Sequence, residues 1–401
     1  MNGSATAYEY KQETCQSAGT RSFNGEEGDE LKLLVQPGDG VQPLIKGIRA
    51  AKKSIEVVIF RFDQREIERA LSNAVSRGVA VTALIAHTNR AGEESLRKLE
   101  MRLLAAGVTV ARTDDDLVRY HAKYMIIDRR ELYLLAFNFT LLDIERSRSF
   151  GIITLNRNLV AEAAKLFEAD TQRHPYESGL DNLVVSPVNA RKRLTSLIKS
   201  AKKELNIYDL KVSDQPIMRL LEERAKAGVT VRIIGRATHK MAGVAVCKLA
   251  QIRLHTRTII VDGRTAFIGS QSLRENELDA RREVGVVFKD PKVVKQINQV
   301  FEEDWALTRQ NGTEKKLDDK PVAKVAKKVA KAVTRELPEV VPVLHEVVKE
   351  VVGEKADMAL KSAKVEDTVK VAVLDAIEEA LREVVQEAVG QTGGKATEAT
   401  K

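Results

Sequence analysis

RYHAKYMIID at residues 119–128 and LHTRTIIVD at residues 254–262 are two copies of one pattern. The first reads His121-x-Lys123-x4-Asp128 and the second His255-x-Arg257-x4-Asp262. A single shift of 134 residues superposes them without a gap, and it also carries Asn138 onto Ser272 and Ser149 onto Glu283. With only six histidines in 401 residues, two such triplets in one register are not an accident of composition. Two imidazoles, each two residues from a fixed cation, are what a two-step displacement at phosphorus needs if the copies face each other.

The likeness extends upstream. LLVQP, AAKKSIEVVIF and SRGVAVTALI are answered by LVVSP, SAKKELNIYDL and KAGVTVRIIG, now with a shift of 150 that maps Ala51 to Ala201, Lys53 to Lys203 and Gly78 to Gly228. The chain is therefore a tandem duplication. The β-branched runs Ile55 to Phe60 and Val79 to Ile85 flank a segment, Arg65 to Ser76, whose apolar Ile67, Leu71, Ala74 and Val75 fall at helical spacing. Gly78 and Gly228 stand where a helix stops before a strand. Strands alternating with helices predict an α/β layered sheet in each unit. The first unit carries 16 extra residues between glycine and histidine, within Thr88 to Tyr120: a charged helix, GVTVAR and the turn Asp114-Asp115-Asp116. They read either as a substrate-facing loop or as a solvated surface excursion.

Composition narrows the setting. Hydrophobic residues at 43% and charged residues at 30% are globular usage, while aromatics at 4% leave few rings on which single-stranded bases could stack. Cys15 and Cys247 have no metal-ligand spacing and read as reduced thiols, which points to a cytoplasmic protein. The polar residues 1–30 read as a disordered segment without a secretion signal. No run reaches the ~18 apolar residues of a membrane span, so membrane contact is expected to be peripheral. The net charge of +8 comes from residues 1–309, with 49 bases against 40 acids; residues 310–401 hold 16 against 17. A basic body suits phosphodiester backbones or acidic headgroups alike.

After Trp305 the composition turns to Val, Ala, Lys and Glu. Val322, Val325, Val329 and Val333 share one helical face among lysines, and a second valine-rich stretch runs from Val365 to Val389. This tail reads as marginal solvated helices, a membrane-surface helix, a nucleic-acid arm or a hairpin that assembles subunits.

The paired HxKx4D pattern resembles the phospholipase D superfamily, carried further by a small-residue turn, an Asn or Ser, and an acid before a strand. RREVGVVF after GSQSL is similar to its bacterial cardiolipin-synthase-like branch. The resemblance covers about residues 30 to 309 and implies tandem phospholipase D-like units, repeat 1 over 31–172 and repeat 2 over 173–309. Each would have a mixed sheet flanked by helices, and the two would be related by a pseudo-twofold axis with the helical tail, 310–401, appended. It implies His121 as nucleophile and His255 as general acid and base. It also implies Lys123 and Arg257, helped by Asn138 and Ser272, on the phosphate oxygens, with Glu283 pairing with His255 of its own repeat. Asp128 and Asp262, five residues beyond each base on an alternating strand, are expected to face away from it and order the motif. No cofactor and no metal are expected.

The implied activity is a metal-independent phosphodiesterase or phosphatidyltransferase acting on phospholipid through a phosphohistidine. A nuclease using the same site on DNA or RNA is the alternative within enzymes. A non-catalytic phosphate- or membrane-binding protein is the alternative outside them. Arg257, Ser272 and Ser149 depart from the Lys, Asn and acid of the family pattern, and Arg257 presents a planar fork where lysine would present a point charge.

Overall fold

The computed structural model describes residues 31–87 and 93–310. Residues 1–30 with Cys15, and the tail from 311 onward with its several readings, lie outside the described residues. Two sheets of the same strand order carry the fold. The first runs Leu31–Gln36, Ser147–Thr154, Glu131–Leu135, Tyr124–Ile127, Ser54–Ile59, Ala80–Ile85, Thr109–Arg112. The second runs Leu183–Val185, Val284–Phe288, Thr265–Gly269, Arg257–Val261, Glu204–Val212, Thr230–Ala237, Val244–Cys247. Each histidine motif thus opens a central antiparallel hairpin, flanked on one side by parallel strands joined through helices.

Both faces of these strands are buried, which explains their near-continuous apolar runs. In Ser54–Ile59, Ile55, Val57 and Ile59 point into a core beneath the outer helices, while Val58 joins a core shared by both repeats. That shared core includes Tyr124 and Phe150 from the first repeat, Tyr208 and Ile260 from the second, and the helices Arg157–Gln172 and Pro291–Gln310. Burying each such side chain stabilises by about 1.5–3 kcal/mol. The helix Arg65–Ser76 forms over the residues its spacing predicts and buries Ile67, Leu71 and Ala74. It ends before Gly78, at φ +84, as the corresponding helix Gln215–Lys226 ends before Gly228, at φ +88; glycine reaches this left-handed backbone without strain.

The described extra residues of the first repeat pack in part into the fold, while Asp115 and Asp116 of the acidic turn are exposed. The packed part forms the helix Glu93–Ala105, which buries Leu96, Leu99 and Leu103 in the outer core, and the edge strand Thr109–Arg112. In the second repeat the corresponding edge strand, Val244–Cys247, follows its neighbour with no helix between them.

Asp128 and Asp262 also depart from expectation. Neither lies on a strand; both sit in the hairpin turns at φ +52. Asp128 accepts the backbone N–H of Lys52, Lys53 and Ser54, and Asp262 accepts those of Lys202, Lys203 and Glu204. Burial raises both carboxyls, but the N–H groups outweigh it and the net shift is downward. Each aspartate thereby clamps its hairpin to the start of the neighbouring strand.

Two further pairs lock one repeat to the other. Arg148 binds Asp304 (2.8 and 3.0 Å) and Arg282 binds Asp170 (3.0 Å). The 134-residue shift carries Arg148 onto Arg282 and Asp170 onto Asp304, so these bonds are one interaction seen from both sides of the pseudo-twofold axis.

Candidate active site

Short parallel ribbons across the repeat boundary place the two histidines. Arg119–Tyr120 pairs with Arg281–Arg282, and Arg253–Leu254 pairs with Ser147 and Arg148. The N–H of His121 then donates to the Arg282 carbonyl (2.8 Å) and that of His255 to the Arg148 carbonyl (3.0 Å). On the His121 side the residue after the acceptor, Glu283, is brought beside the opposite histidine.

The expected pairing of Glu283 with His255 is therefore corrected. Glu283 Oε2 lies 2.8 Å from Nδ1 of His121, with Glu283 fully buried. A sequence shift identifies equivalent positions, but only the ribbon register shows that the acid crosses to the other repeat.

At His255 the carboxylate comes from elsewhere. Asp143 Oδ2 is 3.5 Å from His255 Nε2, and Asp143 also accepts from Arg253 Nη1 at 2.7 Å. Asn138, expected on the substrate phosphate, gives its backbone N–H and one amide N–H to Asp143 Oδ2 instead (2.9 and 2.7 Å). Ser272 has the matching backbone bond to Glu277 (2.7 Å), and its hydroxyl accepts from Arg257 Nε (3.2 Å). Asp143 and Glu277 were missed at the sequence level. The signal was available, because the 134-residue shift carries one acid onto the other.

The cations are held alike. Lys123 Nζ donates to the His121 carbonyl (2.6 Å) and Arg257 Nη1 to the His255 carbonyl (2.8 Å). Both are buried. Burial, then Lys123 and Arg257, push His121 well below its ordinary value. Burial likewise pushes His255 down, with Asp143 acting against it and Arg257, Arg253 and Lys123 with it. Each histidine thus feels the cation of the other repeat, so the two motifs form one electrostatic cluster. Burial drives Glu283 up to about 7, against Lys123 and Arg257, and drives Lys123 down to about 7, against Glu283. Near neutral pH the exchangeable protons of the buried cluster therefore sit on Glu283 and Lys123. The edge of Phe60 closes one side of His121, with ring centroids 4.4 Å apart. Among the described residues no group of three or more His, Cys, Asp or Glu stands as a set of metal ligands.

The family model described as "Cardiolipin synthase, PLD-like domain" matches residues 44–171 and 194–305, one match per repeat. The chain belongs to the phospholipase D-like family. It is 25% identical over 333 residues to a polyphosphate kinase of Prosthecochloris aestuarii, covering 72% of this chain and 46% of that protein. It is 30% identical over 130 residues to a mitochondrial cardiolipin hydrolase of Danio rerio, covering 31% of this chain and 56% of the other. The chain thus spans less than half the length of the polyphosphate kinase. A phosphatidylserine synthase structure from Haemophilus influenzae Rd KW20 superposes with a TM-score of 0.55 at 14% identity, over 77% of this chain and 94% of that one, a likeness of fold alone. No helix among the described residues is long and apolar enough to cross a membrane.

Proposed function

We propose that this phospholipase D-like chain transfers or hydrolyses phosphodiesters, with phospholipid as substrate, through a covalent phosphohistidine and without a metal. The observation that carries the reading is the Glu283 bond to Nδ1 of His121. By accepting the Nδ1 proton it fixes the tautomer whose Nε2 lone pair is free to attack. In the first step Nε2 of His121 forms a bond to phosphorus as the P–O bond to the leaving alcohol breaks, and His255 supplies the alcohol's proton. In the second, His255 takes a proton from water or an acceptor alcohol, whose oxygen displaces the histidine from phosphorus. Lys123 and Arg257, with Ser272 and the second amide hydrogen of Asn138, are the groups assigned in this reading to stabilise negative charge on the non-bridging oxygens.

Matches to polyphosphate kinases over most of the repeats favour a second reading, in which the same two histidines transfer a phosphoryl group of a polyphosphate. The test is to incubate the chain in chelator with radiolabelled phospholipid, polyphosphate or DNA, and to quench in denaturing alkali, which preserves a P–N bond. Label retained on the protein from phospholipid and absent in His121→Ala is the expected result. Label from polyphosphate or DNA alone would replace the phospholipid reading. No label from any of them, with the substrates still bound, would favour the non-catalytic binding protein.

A further inference from the structure

Two carboxylates that the 134-residue shift makes equivalent are used differently. Glu277 accepts the Ser272 N–H on one oxygen and turns the other to Arg281 and Arg274 (3.3 and 3.7 Å). Asp143 accepts the corresponding Asn138 N–H on Oδ2, but the same oxygen also takes the Asn138 amide (2.7 Å) and stands 3.5 Å from Nε2 of His255. Its Oδ1 is bound by Arg253 (2.7 Å).

In His121, Glu283 holds Nδ1 and leaves Nε2 for substrate. By the pseudo-twofold relation, Nε2 of His255 is the nitrogen that meets the departing alcohol, and it is the one Asp143 stands against. Nδ1 of His255 is buried with no hydrogen-bond partner among the described residues, so Asp143 does not hold this ring from behind as Glu283 holds the other. A carboxylate and the O–P–O edge of a phosphodiester each spread a single charge over two oxygens, so one can stand in for the other among the same donors. Lys123, from the opposite side of the cluster, feels this carboxylate as well. Asp143 and His255 are both buried, and a phosphodiester approaching Nε2 meets the carboxylate first.

We propose that Asp143 is an internal competitor for substrate: in the resting site its carboxylate takes the place of a phosphate at His255, and binding exchanges the two. This rests on the phosphodiesterase reading for the identity of the substrate, whereas the exchange applies to any phosphate drawn to the two histidines. Little has to move. Oδ1 stays on Arg253, whose side chain is 35% exposed, while Oδ2 swings away from Nε2. The negative charge remains near His255 and continues to favour the imidazolium. The helix that carries Asp143, Leu141–Glu145, is anchored through Ile144 and leaves Leu141 and Leu142 exposed, so only a short segment has to adjust.

Calorimetry with orthophosphate on the full chain tests the exchange without any turnover. Asp143→Asn, which keeps the shape of the side chain and removes its charge, is expected to bind orthophosphate roughly tenfold more tightly than wild type, the scale of one charge-assisted contact no longer contested. Glu277→Gln removes the same charge from the equivalent position, whose partners are Ser272, Arg281 and Arg274, and is expected to gain much less. Equal gains in the two variants, or a folded Asp143→Asn with no gain, would overturn the proposal. Wild-type crystals soaked in tungstate cover the case in which Asp143→Asn does not fold. An oxyanion at Nε2 of His255 with the carboxylate turned away supports the exchange; an oxyanion between the histidines with Asp143 still against Nε2 overturns it. Turnover separates this inference from the reading beneath it. Exchange with no phospholipid, polyphosphate or DNA consumed keeps the competitor and removes the enzyme, while turnover with no exchange keeps the enzyme and removes the competitor.

Discussion

Glu283 of the second repeat hydrogen-bonds His121 of the first, Oε2 to Nδ1, at 2.8 Å. Neither repeat holds a complete set of groups alone. The carboxylate that orients one imidazole arrives on the ribbon strand of the other, so the integrity of the site depends on how the repeats pack.

Glu283→Gln retains an acceptor for the Nδ1 proton but removes the charge. Turnover is expected to fall on the order of a hundredfold, the usual scale for a carboxylate that orients a working histidine. Stability should respond in the opposite direction. With a folded-state pKa of about 7 against an ordinary 4.5, the native protein binds more protons than the unfolded chain between those values. Wild type therefore loses stability as pH rises through that window, by up to about 3 kcal/mol, and the glutamine variant is spared this term. Melting temperatures at about pH 4 and pH 8 check the sign: the variant should gain on wild type at the higher pH.

Asp143 raises the proton affinity of His255 against burial and three cations. Asp143→Asn is expected to move the basic limb of the pH–rate profile to lower pH, because the imidazolium needed to protonate the leaving group forms less readily. A variant that only loosens the fold would lower the rate at every pH and leave the limb in place.

Arg257 bonds both the His255 carbonyl and the Ser272 hydroxyl, where Lys123 makes only the carbonyl bond. Its fork should hold a phosphate well yet suit the ground-state diester better than the compact transition state. Arg257→Lys, and then Ser272→Asn added, is expected to raise the single-turnover rate with little change in substrate affinity. Weaker binding with an unchanged rate would show that the arginine serves binding alone.

Asp304→Ala strands Arg148 at the repeat interface and removes the acceptor of the Tyr208 hydroxyl (2.7 Å). Losing one partner of a buried pair costs about 3–5 kcal/mol. Denaturant unfolding should show that loss, against a far smaller change for Arg102→Ala, whose pair with Glu68 is half exposed. Equal losses would mean that the Arg148 pair does not lock the repeats.

Much was legible in the chain before folding. The 134- and 150-residue shifts determine the duplication, the shared strand order and the equivalence of His121 with His255, because repeated local sequence repeats local structure. They also mark Asp143 and Glu277 as one position. Near-continuous apolar runs mark the strands that are buried on both faces. What sequence could not decide is partnership across the repeat boundary. Glu283 reaches His121 because a two-residue ribbon fixes Arg282 against the His121 N–H, and Asn138 turns to Asp143 because that carboxylate is the acceptor within reach of its amide. The Asp128 turn likewise looks like the end of a strand until its carboxylate meets three N–H groups some 75 residues earlier in the chain. Such contacts depend on distances between segments remote in sequence, set by packing two sheets on one shared core, and no local pattern encodes them.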